Sequence, residues 1–176
     1  MVTTTIPAPR SRVRVLLAAL VSPRTGALPT DIALIAVRAV LALLFIYHGS
    51  RRLFGWFDGP GLDASAQYFA HTAGLSPGKF FAVMGGLIEF GGGIAIAIGL
   101  FARLAGAAIF VDMMMAIITV TWSNGINATT GKAGYELNLA LGTLALVIAF
   151  FGAGRFSLDA LLERRLLGAD AAAATG

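Results

Sequence analysis

Five ionisable residues, Arg38, His48, Glu89, Asp112 and Glu136, stand inside or at the edge of long apolar stretches of this 176-residue chain. A charge in hydrocarbon costs on the order of 2.5–3.5 kcal/mol unless a partner or water compensates it. These positions therefore define the chemistry open to the chain: ion pairing, or the holding and passing of protons. Counting about 1.5 Å per helical residue puts Arg38, Glu89 and Asp112 in a common layer. The economical expectation is a buried cluster in which Arg38 neutralises Glu89, with Asp112 sharing that cation or keeping its proton. Two carboxyls beside one arginine leave a negative charge unbalanced, an arrangement that suits a membrane carboxyl to proton carriage.

A second layer is expected nearer one surface, where His48, Trp122, Asn124, Tyr135, Glu136 and Asn138 come at the ends of their stretches. Two readings compete there. In one, "FIYHGSRRLFGWF" (Phe45 to Phe57) is a membrane border: Arg51 and Arg52 reach headgroups, and Tyr47, Phe54, Trp56 and Phe57 form an aromatic belt. In the other, His48 and Glu136 exchange protons beside an amphipathic pocket. Tyr47, Trp122, Asn124 and Tyr135 would then line the site of a flat quinone head.

Composition narrows the classes further. Apolar residues make up 57% of the chain and charged ones 12%, with a mean hydropathy of +0.82, which places it in a bilayer. Cysteine is absent, which removes disulfides, thiol redox centres, iron–sulfur ligation and thiolate zinc sites. The two histidines belong to no metal or haem motif, so no metal is expected and a redox role would need a bound cofactor or a partner. The formal net charge of +4 reads as membrane topology, because the basic residues do not cluster with stacking aromatics; nucleic acid is not an expected partner.

The elements that must position these residues follow from apolar length. Four stretches, Asp31 to Leu53, Lys79 to Leu100, Ala102 to Trp122 and Tyr135 to Phe151, approach the roughly 20 residues a spanning helix needs. The second and third are joined by a short turn, Gly99 to Arg103, as a helical hairpin, and Ser76 with Pro77 marks a sharp helix start. Gly93 with Ala97, and Ala102 with Gly106, have the small-residue spacing that lets membrane helices approach closely. The expected architecture is an all-α integral membrane four-helix bundle. Arg10, Arg12, Arg14, Arg24, Arg103, Arg155, Arg164 and Arg165 outnumber the cations on the other side, which would place both termini in the cytoplasm and the protein in the plasma membrane. The domain plan is a basic N-terminal segment at 1–30, read as interfacial rather than as a signal peptide, a transmembrane domain at 31–162, and a C-terminal tail at 163–176.

The stretches "RAVLALLFIYHGSRRLFG", "LIEFGGGIAIAIGLFARLAG", "SNG", "GYE" and "GAGRFSLDALL", in this order and spacing, resemble the DoxX family of small four-span bacterial membrane proteins. Arg38, His48, Gly49, Glu89, Gly92, Arg103, Asn124, Gly125, Tyr135 and Glu136 fall on the family pattern. Two positions depart from it: Thr121 stands where many members carry a histidine, and Asn138 where the GYE step usually runs into a proline. Asp112 matches no family position. The resemblance implies likeness to the membrane subunit of thiosulfate:quinone oxidoreductase and to complexes that handle sulfur species and oxidative stress.

Three functions are therefore open. The first is a quinone-interacting subunit of a membrane oxidoreductase complex, with sulfur chemistry or electron donation on a partner oxidoreductase or sulfurtransferase subunit. The second is a non-enzymatic scaffold or assembly partner in which ion pairs fix helix register. The third is a small-solute or proton-coupled transporter, which four helices could form only as a homo-oligomer.

Overall fold

The computed structural model describes residues 28–127 and 133–173, and every regular element among them is helical. Helix α1 spans Leu28–Phe54, α2 Gly61–His71, α3 Gly78–Ile98, α4 Ala102–Ala116, α5 Glu136–Phe151 and α6 Leu158–Ala173. Beyond Ala116, α4 continues through a π turn at Ile117–Thr121 and a 3-10 turn at Trp122–Asn124. Three helical stretches, Leu28–Phe54, Gly78–Ile98 and Ala102–Asn124, are long and apolar enough to cross a membrane; the fourth apolar helix, α5, has 16 residues, about 24 Å. Helix α2 lies in the segment between the first two apolar stretches, and α6 runs on past residue 162. The α3 helix begins at Gly78 after Pro77, and Ser76 supplies no capping bond.

The α3–α4 turn shows how local chemistry sets the hairpin. Gly99 takes the left-handed conformation at φ 69°, and the amide of Leu100 donates to Ala95 O at 2.9 Å, a glycine-terminated helix end. Phe101 follows at φ 48°, a costly conformation for a side-chain residue, and is held there because its amide donates to Asp159 Oδ1 at 2.7 Å. The next amide, of Ala102, donates to Asp159 Oδ2 at 2.9 Å, so a carboxylate from α6 caps the start of α4. Burial pushes the Asp159 carboxyl above its ordinary range, against these two backbone donors and the nearby guanidinium groups of Arg103 and Arg38.

Helix α1 packs on α3, α3 on α4, α4 on α5, and α5 returns to α1, while α2 lies over α3 and α1. Leu41, Phe45, Ile96, Ile109 and Ile148 fill the centre, and Leu43, Leu104, Val111 and Ile118 point outward, as a bilayer requires. Backbones meet where side chains are smallest. A Cβ on Gly49 would lie 2.4–2.8 Å from the Phe90 backbone and Cβ, and one on Gly106 only 2.6 Å from Ala145 O.

Candidate functional site

Glu89 does not pair with Arg38. Phe90, the next residue, packs on Gly49, so Glu89 stands level with about residue 50 of α1, roughly 18 Å along the axis from Arg38. Arg38 instead reaches the end of α3 and the link between α5 and α6. Its Nε donates to Ile96 O at 2.9 Å, Nη2 to Ala97 O at 2.8 Å, and Nη1 to Ala153 O at 2.9 Å and Phe156 O at 2.8 Å. Those carbonyls lie where α3 ends and α5 gives way to α6, so Arg38 is a joint between helix ends. Beside it Asp31, fully buried, accepts the backbone amide of Arg155 at 3.0 Å and pairs with its guanidinium.

The cation at Glu89 is Arg52, from the last turn of α1, with Nη2 3.2 Å from Glu89 Oε1. Gly85 makes room for it: a Cβ there would lie 2.6 Å from Arg52 Nη1 and 3.5 Å from Asp112 Oδ1. Arg52, Glu89 and Asp112 thus form the ionic cluster, Glu89 buried and the other two partly so, with Arg52 in the place the sequence suggests for Arg38. The Phe69 ring of α2 closes over the guanidinium, 5.2 Å from Cζ to the ring centroid, a cation–π contact. Glu89 is 4% exposed, and its Oε2 makes no hydrogen bond.

That free oxygen belongs to a residue lining a cavity of about 160 Å³, whose walls include Arg52, Asp112, Phe69, Met113, Thr121 and Asn138. The walls join one cation and two carboxyls to thioether, aromatic and amide groups, the mixed lining of a small-molecule site. The two departures from the family pattern meet here: Asn138 Nδ2 donates to Thr121 Oγ1 at 3.4 Å. Thr121 is reached through the π turn of α4, a distortion frequent at functional sites.

The expected outer-layer pair is not assembled. His48 and Tyr47 are exposed on α1, their rings 5.3 Å apart in a T shape, and Glu136 is exposed at the start of α5. No hydrogen bond or ion pair joins His48 to Glu136 among the described residues. Trp122 and Tyr135 do meet, stacked at 5.6 Å, and Asn124 Nδ2 donates to Ala133 O at 2.9 Å, bracing the loop between α4 and α5. Tyr47, Phe54, Trp56 and Phe57 are all exposed, and Arg51 bonds Tyr47 Oη at 3.2 Å and the Phe57 carbonyl. Within the stretch Phe45 to Phe57, Arg51 thus faces outward and Arg52 inward. Sequence inspection missed Arg52, Asp31 and Asp159. Adjacent arginines ending an apolar helix read as headgroup anchors, and the inward member of such a pair is visible only once helix rotation is known.

A polytopic helical membrane protein with a buried ionic pocket is the class these features define. The chain belongs to the DoxX family, whose model matches residues 33–122. It is similar to the "Inner membrane protein YqjF" of Escherichia coli K12, 27% identical over 137 residues that cover 77% of this chain and 95% of that protein. It is also similar to the "Uncharacterized membrane protein Rv3486" of Mycobacterium tuberculosis, 27% identical over 145 residues covering 76% of this chain and 83% of that one. No solved structure matches it.

Proposed function

We propose that the protein is a quinone-interacting subunit of a membrane oxidoreductase complex, and that Arg52, Glu89 and Asp112, in place of His48 and Glu136, hold the polar head and exchange its protons. The observation that carries this reading is Glu89 Oε2, a carboxyl oxygen buried without a hydrogen bond at a cavity that also holds a cation and a second carboxyl. A quinone would supply two-electron, two-proton chemistry. Arg52 can donate to a carbonyl oxygen, and a protonated Glu89 or Asp112 can donate to another and give up its proton. Met113, Leu75 and Val120 suit the flat apolar edge of such a head. The chain has no cysteine, so electrons come from a partner subunit. In this reading the Arg38 end, the side with more of the arginines, faces the cytoplasm.

A scaffold without redox chemistry is the second reading, favoured by the Arg38 end, where Arg38, Asp31 and Asp159 all serve backbone groups. Mass spectrometry of the protein gently extracted from its own membrane, scoring isoprenoid quinone and co-purifying proteins together, separates the two. Stoichiometric quinone that falls in Glu89→Gln and Arg52→Gln but stays in His48→Ala supports the redox subunit. Partner proteins without quinone support the scaffold.

A further inference from the structure

The ionic pocket shares a wall with a second cavity. This outer space, about 450 Å³, is lined by Thr72, Ser123 and Asn124 among others, and Tyr68, Thr119, Val120 and Thr121 line both. Each volume is large enough for several waters, and hydroxyl and amide groups are what keep water in place. The Thr121 hydroxyl stands at the junction, 7% exposed and held by Asn138. At the inner end is Glu89 Oε2, buried and without a hydrogen-bond partner. With both carboxyls ionised, Glu89 and Asp112 carry one negative charge more than Arg52 offsets, and low-dielectric walls concentrate that field along the opening. Toward the other membrane face the described side chains pack tightly between the inner pocket and a separate surface pocket beside Arg38. Leu41, Phe45, Ile96 and Ile109 are 0–2% exposed, and past them Arg38 ties the helix ends together.

We infer that these two cavities form a polar half-channel that admits small monovalent cations, hydronium among them, to Glu89 and Asp112 from the membrane face at the Arg52 end alone. The inference stands whether or not a quinone is the ligand. It gives the carboxyl pair a defined side of the membrane with which to exchange protons.

The natural absence of cysteine makes the test direct, because any thiol introduced is the only one. In full-length protein reconstituted in vesicles, Ser123→Cys marks the Arg52-end face and Phe156→Cys the opposite face. Ala116→Cys places a thiol in the inner pocket at little cost in volume, and Ala145→Cys, in the core, controls for an intact fold by staying unreactive. Membrane-impermeant thiosulfonates, one cationic and one neutral, are applied from each side. Ala116→Cys is expected to react only from the Ser123 side, with the cationic reagent about tenfold or more faster than the neutral one. Reaction from the Phe156 side, no reaction from either side, or equal rates for the two reagents would overturn the proposal. Quinone content, read separately, does not bear on this outcome.

Discussion

Arg52 Nη2 lies 3.2 Å from Glu89 Oε1, and this bridge from the end of α1 to the middle of α3 is where the membrane interior of the protein holds its charge. Such a pair, its carboxylate buried and its arginine side chain 26% exposed, is costly to break by removing the cation, because Glu89 keeps its burial and loses its compensation. Arg52→Gln is therefore expected to destabilise the protein by about 3 kcal/mol. Adding Glu89→Gln should restore most of that, since two neutral amides can bond each other. Melting midpoints of the single and double variants in one detergent check this; a double variant no more stable than Arg52→Gln would mean that the two do not act as a pair.

Arg38 makes a different demand. Its planar fork serves four carbonyls on two helix ends at once, which one ammonium with three donors on a single atom cannot reproduce. Arg38→Lys should therefore behave almost as badly as Arg38→Leu, each losing about 3 kcal/mol or more through buried carbonyls left without donors. A lysine variant that accumulates in membranes and melts like the parent would show that charge alone is what the position needs.

The difference between the two arginines marks how far the sequence could be read. Apolar length places the spanning helices within a few residues, because a bilayer sets that length and little else competes with it. Family motifs point to Glu89. What stays hidden is the partner. Spans such as α3 are apolar on nearly every side, so periodicity does not fix which way Glu89 or His48 faces. Depth counted along Cα atoms also leaves out the reach of an arginine, whose head group finds partners on other helices away from its own Cα. His48 and Ser50, two residues apart, end on opposite sides of the packing, one exposed and one fully buried.

Close approach of α1 and α3 yields a prediction with its own control. Gly49→Ala would force a methyl to within 3 Å of the Phe90 backbone, which can give way only if the helices separate. Separation would also pull Arg52 from Glu89, one turn further along. Gly91→Ala, two residues beyond Glu89, meets nothing within 4 Å and should gain up to about 1 kcal/mol from helix propensity. The expected result is a lowered melting midpoint for Gly49→Ala and an unchanged or raised one for Gly91→Ala. Equal effects would place the close contact elsewhere.

Asn138 separates the demands of folding from those of the pocket. It lies in the first turn of α5, where a backbone amide has no acceptor within the helix and proline is accepted. Asn138→Pro should thus melt within about 1 kcal/mol of the parent, while proline at Leu144, in the interior of the same helix, should cost about 3 kcal/mol or more. The side chain is another matter, because Asn138 holds the Thr121 hydroxyl at the junction of the two cavities. The hydroxyl already donates to Ala116 O at 3.5 Å on its own helix, and without the amide that bond alone holds it, so it can draw back from the passage. The rate at which a thiol at Ala116 reacts with a cationic reagent is expected to change severalfold in Asn138→Pro, with the melting midpoint preserved. An unchanged rate in a well-folded variant would show that the Thr121–Asn138 bond only braces α4 against α5.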